Sequence, residues 1–303
     1  MRIATSQFEN TMNRGLELNQ SAISKLNEQM ASGNKLLLPS DDPVTNVRLS
    51  RLTREESVIS QYRSNIGEVQ IRLSKNETYL TGMTKDITQV HDQLVWASDG
   101  SNSGADLGSM VSTLTALRDS IFYGANERDP EGHYIFSGTL TNTAAITFDP
   151  TAAIGSRYTF TGNTSQQLVT VANGITQATN VDVSGLEDFL NKLDSSIDQL
   201  SQPGVTATSP VLQATLKDNM DSADSALSLV SGKIAAFGGV QNILATLDDN
   251  HANVSLSNQT ALHDLGSLDY GLAATDLNGY NLALQSSYKA YAKVNQLSLF
   301  NVL

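Results

Sequence analysis

Between Leu52 and Ala97 the chain carries two interleaved rows of apolar residues. One runs Leu52, Ile59, Ile66, Leu73, Leu80, Ile87, Leu94, and the other runs Tyr62, Val69, Asn76, Met83, Val90, Ala97. Steps of three and four alternate throughout, which makes a seam that only a long helix packed along another long helix can bury. At about 1.5 Å per residue, a helix from Pro43 to around Ala97 is roughly 80 Å long, several times the diameter of an ordinary compact domain. Enzymes rarely need such a shape; scaffolds do.

The remaining chain supplies partners for that seam. Residues 4–32 read as a helix with Met12, Leu16, Asn19, Ile23, Leu26 and Met30 on one face, ended by Ser32, Gly33 and Asn34. Asn19 is its polar member, either a register-fixing residue or simply exposed. In the following loop Ser40, Asp41 or Asp42 can cap free N–H groups, and Pro43 suits a first helical turn. Adjacent carboxylates before Pro are far more often caps than metal ligands. A third helix places Leu107, Met110, Val111, Leu114, Leu117 and Ile121 on one face and is expected to stop near Asp129 and Pro130.

From Gly132 the period changes from seven to two. Residues 132–138 read as a strand, and so do 157–161, 167–171 and 180–183, with turn signals at Gly162–Asn163 and Asn173–Gly174. Helical spacing returns from Leu186 to Leu200. A second long seam then runs Leu216, Met220, Ala223, Leu227, Val230, Ile234, Phe237, Val240, Leu244, Leu247, His251, Val254, Asn258, Ala261, Leu265. Two successive steps of three at Gly238–Gly239 predict a bend or a change of partner. A last helix carries Leu277, Tyr280, Leu284, Tyr288, Tyr291, Val294 and Leu297.

The predicted fold is mainly α: long antiparallel helical rods built from both chain termini, with a small β domain inserted in the middle. Its expected parts are terminal helices at 1–38 and 268–303, a helical rod at 39–138 and 186–267, and the inserted β domain at 139–185. An insertion with its own period reads as separable from the rods.

Composition narrows the chemistry. A chain of 303 residues with 40% hydrophobic content can bury a real core, and with no cysteine it has no disulfide or thiolate site. Residues 1–75 carry 10 Lys+Arg against 8 Asp+Glu, and the rest 9 against 23, without a basic cluster interleaved with aromatics, so nucleic acid is disfavoured as a partner. The start, MRIATSQFENTMNRG, lacks the apolar run of a cleavable signal peptide, and no segment approaches the 18 or so apolar residues of a membrane span. His91, His133, His251 and His263 show no paired metal spacing, and His251 reads as a packing residue of the seam. Phosphate-loop, dinucleotide and nucleophile-elbow motifs are absent. Tyr280, Tyr288 and Tyr291 form a helix stripe suited to core or interface packing. No catalytic constellation, cofactor or metal site is expected.

Stretches in three regions of the chain, taken together, resemble a known family. Residues 32–36 (SGNKL), 39–43 (PSDDP) and 61–66 (QYRSNI) resemble the N-terminal signature of the flagellin superfamily. Residues 131–138 (EGHYIFSG), and the ending from Leu284 to Tyr288 and Leu297 to Asn301, are similar to its hook-associated protein 3 family, at the hook–filament junction. The insert carries no such likeness. The resemblance implies a non-enzymatic adaptor whose terminal helices form the inner tube of an axial assembly. It would work as a ring of copies of itself between the neighbouring hook-associated junction protein and flagellin. It would be extracellular in the bacterial flagellum, exported unfolded through the type III channel without a cleaved signal peptide and attended by a cytoplasmic export chaperone. Its expected subunit or chaperone contacts are Leu16, Ile23, Leu26, Met30, Leu284, Tyr288, Tyr291, Val294, Leu297, Leu299 and Phe300. The competing readings are a short flagellin and, from another class, a secreted effector with an active central insert.

Overall fold

The computed structural model describes residues 2–296, with side chains described from 7 to 293. Among the described residues six helices hold most of the chain: α1 (Arg2–Ser32), α2 (Pro43–Ala97), α3 (Gly104–Ala125), α4 (Leu186–Ser201), α5 (Pro210–Gly266) and α6 (Tyr270–Gln296). Between α3 and α4 lie two antiparallel hairpins, β1 (Ile146–Phe148) with β2 (Tyr158–Phe160), and β3 (Leu168–Ala172) with β4 (Ile175–Ala178). The chain divides into two compact units, residues 1–60 with 252–303, and residues 61–251.

Local chemistry sets the helix starts. The Asp42 carboxylate accepts the N–H groups of Val44 at 3.1 Å and Thr45 at 3.0 Å, and Pro43, which has no N–H to satisfy, follows it into α2. Ser103 and Asp106 close a reciprocal capping box at α3. This helix stops at Ala125, short of the expected Asp129–Pro130. The cause is Asn126, whose side chain leaves the helical path to bond both the N–H of Ile146 at 3.0 Å and its carbonyl at 2.8 Å.

In the unit of residues 61–251 the two long helices run antiparallel. Arg63 reaches Asp248 at 2.8 Å, Gln241 reaches Glu77 at 3.0 Å, and Gln213 reaches the Ser98 carbonyl at 3.0 Å, so rising numbers on α2 meet falling numbers on α5. Leu73, Leu80, Ile87, Val90 and Leu94 of α2 are wholly buried with Leu107, Leu114 and Ile121 of α3, Leu190 and Leu193 of α4, and Leu216, Val230 and Leu244 of α5. The helix α5 continues through Gly238–Gly239, with Phe237 and Leu244 buried on either side. Beyond His251 the buried row departs from the expected one: Val254 is 42% exposed while Ser255 is 5% exposed. The polar residue goes inside because its hydroxyl bonds the Glu56 carboxylate, which Gln259 also reaches at 3.1 Å.

The segment 139–185 shares this core and does not stand apart from it. Ala145, Ile146, Tyr158, Val171 and Val183 belong to the same buried cluster as the helices. Tyr158 exchanges two hydrogen bonds with the Asn191 side chain, at 2.9 and 2.8 Å, and Asn65 donates to the Thr170 carbonyl at 2.7 Å. Asp194, almost fully buried, receives Arg118 at 2.9 Å and Arg157 at 3.3 Å, joining α4 to α3 and to the residue just before β2.

Residues 132–138 are not a strand. Tyr134 donates to the Thr141 carbonyl, Ile135 to that of Glu127, and Ser137 bridges to Asp182, so successive residues pair with different neighbours. Phe136 is buried, and Gly138 has φ 72°, where a Cβ would lie 2.0 Å from the Asn163 carbonyl oxygen. Residues 180–183 likewise form only a bridge, because the hairpin turning at Asn173–Gly174 uses 175–178 as its second strand.

Candidate assembly surface

In the unit of residues 1–60 and 252–303, α1 and α6 pack along each other and are clamped where α1 ends and α6 begins. The Lys35 N–H donates to the Gly266 carbonyl at 2.8 Å, the Leu268 N–H to the Gly33 carbonyl at 3.0 Å, and the Tyr270 hydroxyl to the Met30 carbonyl at 3.1 Å. Gly33 has φ 71°, a left-handed turn out of α1 that glycine adopts without strain. Lys25 reaches Asp41 at 2.7 Å, and the other Asp41 oxygen accepts the N–H groups of Leu37 and Leu38, both at 3.2 Å. The Lys25 hydrogen bond, helped by the Leu38 N–H, holds the Asp41 carboxyl below its ordinary value of 3.8. Asp42 is held down first by the Thr45 hydroxyl and then by the Thr45 N–H. Both carboxylates are therefore spent on capping the loop and helix.

The helix pair leaves much of its apolar surface in water. Leu26 and Ala273 are buried, while Leu16, Ile23 and Met30 of α1, and Leu277, Leu284 and Tyr291 of α6, are half-buried. Ala273, Leu277, Leu284 and Tyr291 recur at heptad spacing, and Asn19 sits half-buried in the α1 row. Tyr288 falls outside the row and is 48% exposed. Val294 lies in α6 with its side chain outside the description, and Leu297, Leu299 and Phe300 lie outside the described residues. Sequence reading passed over the largest exposures: Leu18, Leu272 and Leu282 are each more than 60% exposed. Their signal was available, since a large aliphatic residue off the heptad row of an amphipathic helix has no place in that helix pair.

Elsewhere the chemistry is structural. The His251 Nε2 lies 2.9 Å from the Val171 carbonyl, and its ring packs 5.5 Å from that of Tyr62, as expected of a seam residue. Burial pushes the Tyr158 hydroxyl up to about 12. Asp129, Glu131 and His133 bring possible ligand atoms within 4.8 Å of one another, a grouping that the search for paired histidines missed. One Asp129 oxygen is already engaged by the N–H groups of Glu131 at 3.0 Å and His133 at 2.8 Å, and the group is open to solvent. Among the described residues no helix is long and apolar enough to cross a membrane.

Comparison with known proteins agrees with this architecture. Residues 3–141 match the bacterial flagellin N-terminal helical region. The chain is 27% identical over 318 residues to flagellar hook-associated protein 3 of Escherichia coli (strain K12), covering 100% of this chain and 99% of that one. A Vibrio parahaemolyticus structure described as a flagellar hook-associated protein superposes with a TM-score of 0.67 at 33% identity, covering 75% of this chain and 100% of the other. The flagellar junction protein FlgL of Legionella pneumophila shares the fold, with a TM-score of 0.58 at 15% identity over 72% of this chain and 100% of that one.

Proposed function

We infer the role of this chain from its family: it belongs to the flagellar hook-associated proteins of the flagellin superfamily. It is a structural component of the bacterial flagellum, similar to hook-associated protein 3, and its role is that of an adaptor linking hook to filament. The observation that carries the reading is the incomplete burial of α1 and α6. Helices that leave Leu18, Leu272, Leu282 and Tyr288 in solvent are suited to burial against other subunits.

The finer proposals follow from that surface. Copies of the chain would associate through the terminal helices, 1–38 and 268–303, with Leu16, Ile23, Leu26, Met30, Leu284, Tyr288, Tyr291, Val294, Leu297, Leu299 and Phe300 as contacts to neighbours or to a cytoplasmic export chaperone. The neighbouring hook-associated protein and flagellin would lie on either side of the ring. The chain would act outside the cell, after export without signal-peptide cleavage, and would have no catalytic duty.

Electron micrographs of cells lacking this chain test the role. Bare hooks with flagellin shed into the medium, restored to filaments by the intact gene, are expected. Normal filaments on the deletion strain would exclude it.

A further inference from the structure

We propose that the outer face of the first turns of α2 is a second lateral contact, taking a second copy of this chain. Val44, Val47 and Val58 are 64%, 67% and 43% exposed, and Arg48, Arg51 and Arg54 stand exposed between them. With 3.6 residues per turn, all six fall within an arc of about 120°, which they share with the exposed Glu55, so they make one continuous face on which the three arginines outnumber the one carboxylate. Among the described residues none of these three guanidinium groups has an ion-pair or hydrogen-bond partner, whereas Lys25, Arg63, Arg118, Arg157 and Lys192 all reach carboxylates.

That pattern disfavours the isolated chain and suits a complex. Like charges one helical turn apart repel, and exposed valines in an already helical segment add nothing to its stability. An anionic partner with aliphatic side chains relieves both. A second copy has that character: the chain carries a net charge of -12, and its acidic excess lies wholly beyond residue 75, at 9 Lys+Arg against 23 Asp+Glu. The face also belongs to the same unit as α1 and α6, so one neighbour can extend a single contact across both. The inference rests on the reading that copies of this chain associate in the flagellum.

The test is made in assembled flagella. A photo-crosslinking residue replaces Val47, cells are irradiated, and hook–filament fragments are purified and probed for this chain. A product of twice the 32.5 kDa chain mass is expected. Adding Arg48→Gln, Arg51→Gln and Arg54→Gln should lower its yield about tenfold through lost charge pairing, with the melting temperature of the purified protein unchanged. Crosslinking to a different protein, no crosslink from a chain present in the fragments, or a yield indifferent to the three arginines would overturn the proposal. A chain absent from the fragments would overturn the junction reading and this inference with it.

Discussion

Within residues 61–251, the α2 seam residues Leu73, Leu80, Ile87, Val90 and Leu94 are completely buried; within residues 1–60 and 252–303, the buried apolar residues among those described are Leu26, Ile59 and Ala273. Both units are written in the same heptad code. They differ in the number of layers available. The seam of the middle unit is closed by α3, α4 and the hairpin segment as well as by α5, so a side chain leaving one helix meets a second and a third element. A pair such as α1 and α6 covers one stripe on each helix and leaves the other sides to water. The middle unit is thus finished by its own chain, and the terminal unit leaves apolar surface in water, which under the proposed function neighbours would cover.

The most severe way to break that contrast is to take a layer from the middle unit. Replacing residues 139–185 by a short Gly/Ser linker removes Ala145, Ile146, Tyr158, Val171 and Val183 from the core. At about 1.5–3 kcal/mol for each large buried side chain, the loss rivals the roughly 5–15 kcal/mol that holds an ordinary domain together. The sequence alone marks this segment as separable, but its shared core predicts loss of cooperative melting, followed by circular dichroism. A sharp, unshifted melt would show that the helices close without it.

Single seam truncations come next. Ile66→Ala and Leu80→Ala each delete a side chain that is at most 1% exposed and should cost about 2–5 kcal/mol in chemical denaturation. Asp194→Ala should follow at about 2–4 kcal/mol, because Arg118 and Arg157 are left without the carboxylate between them and both are partly solvated. By contrast, Tyr288→Asp should change the melting of the free protein by less than about 0.5 kcal/mol, since the side chain already stands in solvent. In cells it should abolish the junction. A lower melting temperature with intact filaments would move Tyr288 into an internal core.

The smallest effect is acid loosening of the terminal clamp. Asp41 and Asp42 are held below 3.8 by Lys25 and by Thr45, so each favours the folded clamp above that pH. Their contribution is lost as pH falls through the lowered values. Lower protection factors for amides at the end of α1 below about pH 4, taken relative to the intrinsic exchange rate at each pH, are the readout. Protection factors that stay constant there would remove both carboxylates from the clamp's support.

What could be read from the sequence follows the same division. The Asp–Pro start and the heptad rows placed α2 from Pro43 to about Ala97, and it runs Pro43–Ala97, because a seam of that length has no competing arrangement. The short elements were less legible. β1 has three residues and is fixed by Asn126 from a distant helix end, and the EGHYIFSG stretch shares its backbone bonds among several neighbours where a strand would need one. Ser255 displaced Val254 from the buried row through its bond to Glu56, a contact made 199 residues away. A heptad row also cannot tell whether its partner lies in the same chain. Leu16 and Leu80 occupy similar rows, yet one is half-buried and the other sealed.

Native-state hydrogen exchange, read by mass spectrometry on the free protein and on purified hook–filament junctions, addresses that distinction directly. In the free protein, amides of α1 and α6 should exchange far faster than those of α2 from Ile66 to Leu94, and in the junction they should become as slow. Equal protection of α1, α6 and the α2 seam in the free chain would contradict the view that neighbours complete the terminal unit.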